Sequence, residues 1–252
     1  YKNRLRFIPK EINKLENLVE LSLSKNNLSK LPQEIGELKN LEVLSALGNS
    51  LLELPESIGK LKKLSKLNLL SNKLSILPDS ITNLKNLTTL SVFDNKLHCL
   101  PEDIGNLNNL TELLVNNNHL QELPQSIGKL KNLECLWLYE NRLHKLPCGI
   151  GELNKLTDLW IYNNNLTQLP EEIGSLNNLK EIWLSNNFLK DLPISIGNLR
   201  ELKEVNLSNN RLSQLPSELS NLNKLTWLEV DSSVIIPVEL NEFVKNNIIN
   251  FS

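Results

Sequence analysis

Cysteine is scarce in this chain. The 252 residues hold three, Cys99, Cys135 and Cys148. An odd number at unrelated places in the pattern argues against a disulfide framework. No CxxC or His/Cys cluster offers a zinc signature. An excess of one charge is also lacking: 27 Lys and Arg face 29 Asp and Glu, for a net charge of -2. No bulk attraction to nucleic acid or to an anionic membrane follows from that balance. No apolar run approaches the ~20 residues of a membrane-spanning helix, so no membrane insertion is expected. No secretory leader is visible at Tyr1. Aromatic residues are few, with four Trp and three Tyr, so where they fall is informative.

What the chain has in abundance is self-similarity. The stretches LVELSLSKNNLSKLPQEIGELKN (18–40) and LEVLSALGNSLLELPESIGKLKK (41–63) share the unit LxxLxLxxNxLxxLPxxIGxLxx, which recurs in nine consecutive 23-residue copies from Leu18 to Lys224. LxxLxL alternates leucine with polar residues and reads as a short strand with one buried side. Positions 4 and 6 point inward, and positions 3, 5 and 7 point out. One strand per unit, always in the same direction, makes a parallel sheet. The Asn at position 9, from Asn26 to Asn210, is suited to bonding backbone groups at the bend after the strand. The LPxxIGxLxx half is the return path, read as one or two turns of 3₁₀ or α-helix. Its Pro suits a first helical position, and Glu34, Glu56, Asp79, Glu102 and Glu171 follow it at the positive end of the turn. Lys39, Lys62, Lys85, Lys131 and Lys155 collect at the far end. The central Gly argues against a long helix. Departures are mild: Thr82 and Ser220 replace Gly, Ala46 replaces a core Leu, and Ser233 replaces the Asn.

The LPxxIGxLxxLxxLxLxxN form, held in register through the chain, resembles leucine-rich repeat proteins, in particular the 23-residue repeats of the leptospiral bacterial subfamily. The plant and animal intracellular Ras-group repeats use a similar unit. The resemblance implies an α/β solenoid of horseshoe shape, with a parallel β-sheet on the concave face and short 3₁₀/α turns on the convex face. It also implies a binding role, in the bacterial case toward host proteins, and it brings no catalytic residues and no cofactor.

The chain is read as one domain, 1–252. Residues 1–17 match the back part of a unit, 18–224 are the nine repeats, and 225–252 supply a last strand and a capping helix. Pro237 stands where that helix starts, and Leu240, Phe243, Val244 and Ile248 have helical spacing. At the other end the chain opens at position 7 of a unit. Tyr1, Phe7 and Ile8 are expected to cover that edge. Left open, it favours pairing with a second molecule, so a monomer or a weak homodimer is expected.

The outward columns hold the remaining information. Column 5 carries Trp137, Trp160 and Trp183 in successive units. Column 7 carries Phe93, then Tyr139 and Tyr162, then Ser185. Column 3 carries Glu112, Cys135, Asp158, Glu181, Glu204 and Trp227. Neighbouring strands lie ~4.8 Å apart, so the indoles are expected to stack as a ladder flanked by the tyrosines. Such a ladder stabilises a sheet through cross-strand contacts. Rimmed by polar groups, it also has the marks of a recognition surface. The rim is acidic, with Lys180 and Lys203 the nearby exceptions, which suits a partner bearing basic groups. Leu47, Leu70, Phe93 and Leu114 form a second, apolar strip.

Other chemistry lacks its parts. His98 and His144 share a column two units apart, and His119 lies in another, so no metal site is expected. Cys135 has no His in any concave column to act as a base. No Gly-rich phosphate loop follows a strand. The expected function is a non-catalytic module that binds a protein or peptide on its concave face, centred on Trp137, Trp160 and Trp183. Tyr139 and Tyr162 add apolar area, and Asp158, Glu181, Glu204 and Glu112 select basic groups, with Phe93 and Trp227 flanking. Carbohydrate binding and structural self-association are the alternatives. The compartment stays open, because missing disulfides fit the cytosol whereas the bacterial resemblance points to export.

Overall fold

The computed structural model describes residues 4–252. The strands are β1 (Glu20–Ser22), β2 (Val43–Ser45), β3 (Lys66–Asn68), β4 (Thr89–Ser91), β5 (Glu112–Leu114), β6 (Cys135–Trp137), β7 (Asp158–Trp160), β8 (Glu181–Trp183), β9 (Glu204–Asn206), β10 (Trp227–Val230) and β11 (Ile249–Phe251). They pair in chain order as one parallel sheet. From β1 to β10 the register sets like position against like, as in Asp158↔Glu181, Leu159↔Ile182 and Trp160↔Trp183. The backbone ladder runs on past the strands: Leu138 N donates to Trp160 O at 2.7 Å, and Glu140 N to Tyr162 O at 3.0 Å. The sheet lines the concave face of the solenoid and the short 3₁₀ turns lie behind it.

Positions 4 and 6 build the core. Leu136, Leu138, Leu159, Ile161, Ile182 and Leu184 are fully buried, as is Ala46, the small residue at a leucine position. Each such leucine or isoleucine contributes roughly 1.5–3 kcal/mol relative to an exposed one. The Asn of position 9 closes the bend behind the strand. Asn118 Nδ2 donates to the carbonyls of Val92, Val115 and Asn116 at 3.1, 3.0 and 3.1 Å, and its Oδ1 accepts from Leu97 N at 2.9 Å. The same acceptance recurs from Asn26, bonded to Leu5 N, to Asn210, bonded to Leu189 N. Where Ser233 breaks the column, Asp231 takes over the last turn, accepting from the N–H groups of Asn209 and Asn210 at 2.7 and 3.2 Å.

One backbone demand was not legible in the leucine pattern. The residue before each ladder Asn is left-handed, including Lys25, Ser71, Asp94, Glu140 and Asn163, with φ between 53° and 56°. Four of these positions hold Asn and one holds Gly48, residue types that accept this conformation most readily.

The return paths are five-residue 3₁₀ turns such as Gln33–Glu37, with Pro32 extended just before the turn (φ -71°, ψ 153°). Proline therefore precedes the helical residues instead of opening them, and its carbonyl accepts the first bond, from Ile35 N at 3.1 Å. Two of the far-end lysines cap: Lys62 Nζ donates to Gly59 O at 2.8 Å and, across the unit boundary, to Asn83 O at 3.2 Å, and Lys85 Nζ does the same to Thr82 O and Asn106 O. The central glycine serves close approach. A Cβ on Gly59 would lie 2.3 Å from Ser80 O in the next turn. Thr82 and Ser220 stand where that glycine is missing, and the turn after Thr82 is cut to three residues, Ile104–Asn106.

The C-terminus differs from the single capping helix expected over 237–248. A 3₁₀ turn at Val238–Leu240 leads into a one-turn helix α1 (Asn241–Lys245), which stops before Asn247 at φ 53°. The left-handed residue turns the chain back, and β11 adds a parallel strand to β10. Leu240 and Ile249 are buried and Phe243 and Ile248 pack on the core, whereas Val244 stays exposed. At the other end Ile8 packs against the core, but Phe7 is 72% exposed and does not cover the edge. Tyr1 lies outside the described residues.

The glycine contact yields a test. Gly59→Ala should destabilise the chain by about 1–3 kcal/mol, because the obstructing atom is backbone and cannot rotate away. Thermal unfolding followed by circular dichroism measures the loss.

Candidate functional site: an aromatic ladder beside a row of carboxylates

The outward columns face away from the leucine core, on the concave side of the sheet. Trp137, Trp160 and Trp183 are half-buried, while Leu136, Leu138, Leu159 and Ile161 behind them are sealed. Parallel in-register pairing places these indoles in one row, and the rings respond differently along it. Trp137 and Trp160 stack at 4.7 Å with planes 4° apart. Tyr139 and Tyr162 stack beside them at 4.4 Å and 7°. Between Trp160 and Trp183 the stack breaks, with centroids 6.0 Å apart and planes 53° apart. Trp183 turns instead toward Trp227, two strands on, at 5.7 Å. Trp227 thereby joins the row although it stands in another column.

The break opens a notch of about 350 Å³, lined by Trp160, Tyr162, Asn163, Trp183, Ser185 and Asn186. Ser185 follows Tyr139 and Tyr162 in column 7 and leaves the space that a third tyrosine would fill. Ser185, Asn163 and Asn186 were not among the residues expected to bind. The step from Tyr to Ser in that column was the available signal.

The carboxylates form a second row. Register sets Cys135, Asp158, Glu181 and Glu204 side by side. Burial, then repulsion from Asp158 and Glu204, holds the Glu181 carboxyl above its ordinary range. The indole N–H groups of Trp160 and Trp183 oppose that shift from close by, yet neither closes a hydrogen bond: the N–H groups of Trp137, Trp160 and Trp183 are buried without a partner. Among the described residues no ion pair involves the row. Lys180 and Lys203 act instead on Glu201, which is paired with Lys224 at 2.6 Å. Glu112 is exposed and accepts from Thr89 Oγ1 at 3.2 Å. Phe93 is half-buried and makes no ring contact with the ladder. Of the outer acids, Glu229 accepts from Asn206 Nδ2 at 3.1 Å and Asp231 holds the last turn, so both serve the scaffold.

Burial first, and then Asp158, Glu112 and Glu181, push the Cys135 thiol up to about 12. It stays protonated at neutral pH, a poor nucleophile. Desolvation likewise raises Tyr139, and raises Tyr162 to about 12. His98 and His119 pack edge to face at 5.6 Å, a contact that the column argument missed. Among the described residues no group of three or more His, Cys, Asp or Glu converges as metal ligands.

With this geometry in hand, the comparisons with known proteins agree on class. Residues 6–99 and 92–189 match the family described as leucine-rich repeat region, and residues 201–222 match the Leucine Rich Repeat. The chain belongs to the leucine-rich repeat family. No curated protein matches it by sequence. Among solved structures it is similar to a leucine-rich repeat protein of Leptospira interrogans (33% identity, TM-score 0.51), covering 99% of this chain and 82% of that one. It is also similar to the ectodomain of the Arabidopsis thaliana receptor kinase GASSHO1/SCHENGEN3 in complex with CASPARIAN STRIP INTEGRITY FACTOR 2 (28% identity, TM-score 0.81; 98% of this chain, 31% of that one). A third likeness is to the plant peptide hormone receptor RGFR1 in complex with RGF2 (29% identity, TM-score 0.70; 92% and 43%). The chain thus spans most of the leptospiral protein and less than half of either plant receptor.

Two measurements test the electrostatics. A carboxyl with a raised folded pKa binds its proton more tightly folded than unfolded, so ionised Glu181 costs stability at neutral pH, and the cost vanishes as pH falls through the folded value. Glu181→Gln should therefore stabilise by a few tenths to about 1 kcal/mol at neutral pH, and by less in acid. Chemical denaturation at the two pH values checks it. Alkylation with iodoacetamide, read by peptide mass spectrometry, should modify the exposed Cys99 first. Cys148 is also exposed, but the Glu172 carboxylate acting on it raises its pKa, and it should follow. Cys135 should react last.

Proposed function

We propose that residues 1–252 form a non-catalytic interaction module that binds a protein or peptide along the concave face, centred on Trp137, Trp160 and Trp183. The observation that carries this reading is the half-buried aromatic row beside carboxylates that no ion pair among the described residues neutralises. Such a surface gains by accepting a partner. Large rigid rings give contact area at low entropic cost, and the acids favour basic groups. The side chains stand on a backbone held by the Asn column, so little order has to be acquired on binding. The likeness to plant receptor chains solved with their peptide or protein ligands supports the same use of the fold. The likeness to a protein of Leptospira interrogans supports a bacterial setting, where a host protein is the natural partner class. Indole faces next to the Asn163 and Asn186 amides also fit a sugar ring, which makes carbohydrate the competing ligand.

Selecting peptides from a displayed library against the full chain, alongside a glycan array, separates the two. Peptide ligands are expected, and Trp160→Ala should weaken them by about 2 kcal/mol or more, roughly thirtyfold. A folded Trp160→Ala protein with unchanged affinity, or binding of glycans alone, overturns the proposal.

A further inference from the structure

The break in the ladder has a local cause and a specific shape. In column 5 the rings of Trp137 and Trp160 lie flat on each other, and the next ring has no matching neighbour: β9 offers Asn206, which is occupied by Glu229. Trp183 leans across β9 to Trp227. In column 7 the tyrosine stack ends at Tyr162, and the next residue is Ser185. Two columns thus change at the same step between β7 and β8, and the coincidence makes the notch. Its walls are Trp160, Tyr162 and Trp183, its floor is Ser185, and the Asn163 and Asn186 amides stand at its mouth.

Three aromatic rings around one opening form a cage whose faces carry negative potential. The charged groups around it have the same sign. Glu140 acts on Tyr139 and Tyr162 from one side, and Glu181, flanked by Asp158 and Glu204, abuts the Trp160 and Trp183 indoles from the other. The ion pairs Lys131–Glu152, Lys224–Glu201 and Lys245–Glu242 involve none of these acids. An uncharged apolar side chain would fill the volume but would leave the negative potential of the rings and of the acids on both sides of them unanswered. A compact ammonium is strongly hydrated and resists leaving water, whereas a guanidinium is planar, weakly hydrated and stacks on indole faces.

We propose that the notch between Trp160 and Trp183 is a socket for a single arginine side chain of the partner. The inference rests on the concave-face reading and adds to it the identity of the anchoring group. The guanidinium packs against the ring faces, with its hydrogen-bond donors turned toward the Asn163 and Asn186 side-chain oxygens and its charge on the side where Glu140 acts on Tyr162. The stacked half of the ladder, Trp137 with Tyr139, supports the wall and takes no anchor itself.

The test uses the full chain and the N-acetylated, C-amidated pentapeptide Gly-Ser-Arg-Ser-Gly as probe. The readout is the tryptophan indole N–H signals in a nuclear magnetic resonance titration. Saturable shifts are expected at Trp160 and Trp183, with Trp227 affected less. Replacing the arginine by citrulline, which keeps the shape and removes the charge, should weaken binding roughly fivefold or more. Ser185→Tyr continues the tyrosine stack that the sheet already tolerates at two successive strands, and fills the notch while leaving every Trp in place. It should abolish the shifts, and Ser185→Ala should keep them. Absence of shifts with the wild-type chain, equal binding of the citrulline peptide, or unchanged binding by folded Ser185→Tyr each overturns the socket. If Ser185→Tyr fails to fold, the citrulline comparison on the wild-type chain decides. Library-selected peptides that lose affinity with Trp160→Ala, but neither with Ser185→Tyr nor when their arginines are replaced, would leave the concave-face reading standing while the socket fails.

Discussion

The Asn column is the constraint on which everything else depends. From Asn49 to Asn210 each ladder Asn satisfies carbonyls of its own unit and of the preceding one and takes a backbone N–H from that preceding unit, and from Asn72 to Asn187 the side chain is buried. Buried backbone groups left unpaired would each cost about 1–3 kcal/mol, so the bend has one acceptable geometry and neighbouring units must adopt it together. Column identity follows from this. Position 5 of one unit lies against position 5 of the next because the bends behind them are bonded, and only then can three tryptophans 23 residues apart in sequence become neighbours in space.

The return path obeys a second constraint of the same kind. The 3₁₀ turns touch through glycines that a methyl group would drive into the backbone of the next turn. Where Thr82 intrudes, the following turn shortens and the strands keep their register. The scaffold thus absorbs irregularity on its convex side and protects the concave side, where the aromatic and acidic rows need a fixed spacing.

Much of this was legible in the sequence, because a 23-residue period declares which leucines point inward and which columns point out. The parallel sheet, the Asn bonds and the aromatic row all follow from position within the unit. What the period could not show is how side chains settle after the backbone is fixed. Trp183 is equivalent to Trp160 in column and type, yet it leans the other way because Asn206 and Ser185 flank it where Trp160 has Trp137 and Tyr162 nearby. The left-handed residue before each Asn was missed for a different reason: Lys25, Ser71 and Glu140 are not residues that announce positive φ, and tertiary bonding overrides their preference. The extra strand β11 was hidden because the helical spacing was carried as far as Ile248, the residue just before it. The contact of His98 with His119 joins two columns across a unit boundary, which a column-by-column reading does not compare.

The hydrogen bonds of the sheet run along the axis of the solenoid, so the interval between β7 and β8 depends on how tightly the coil is wound at that point. Bending the arc inward brings the two indoles nearer each other, and straightening it draws them apart. The width of the opening is therefore a mechanical property of the whole spring as much as a matter of local packing.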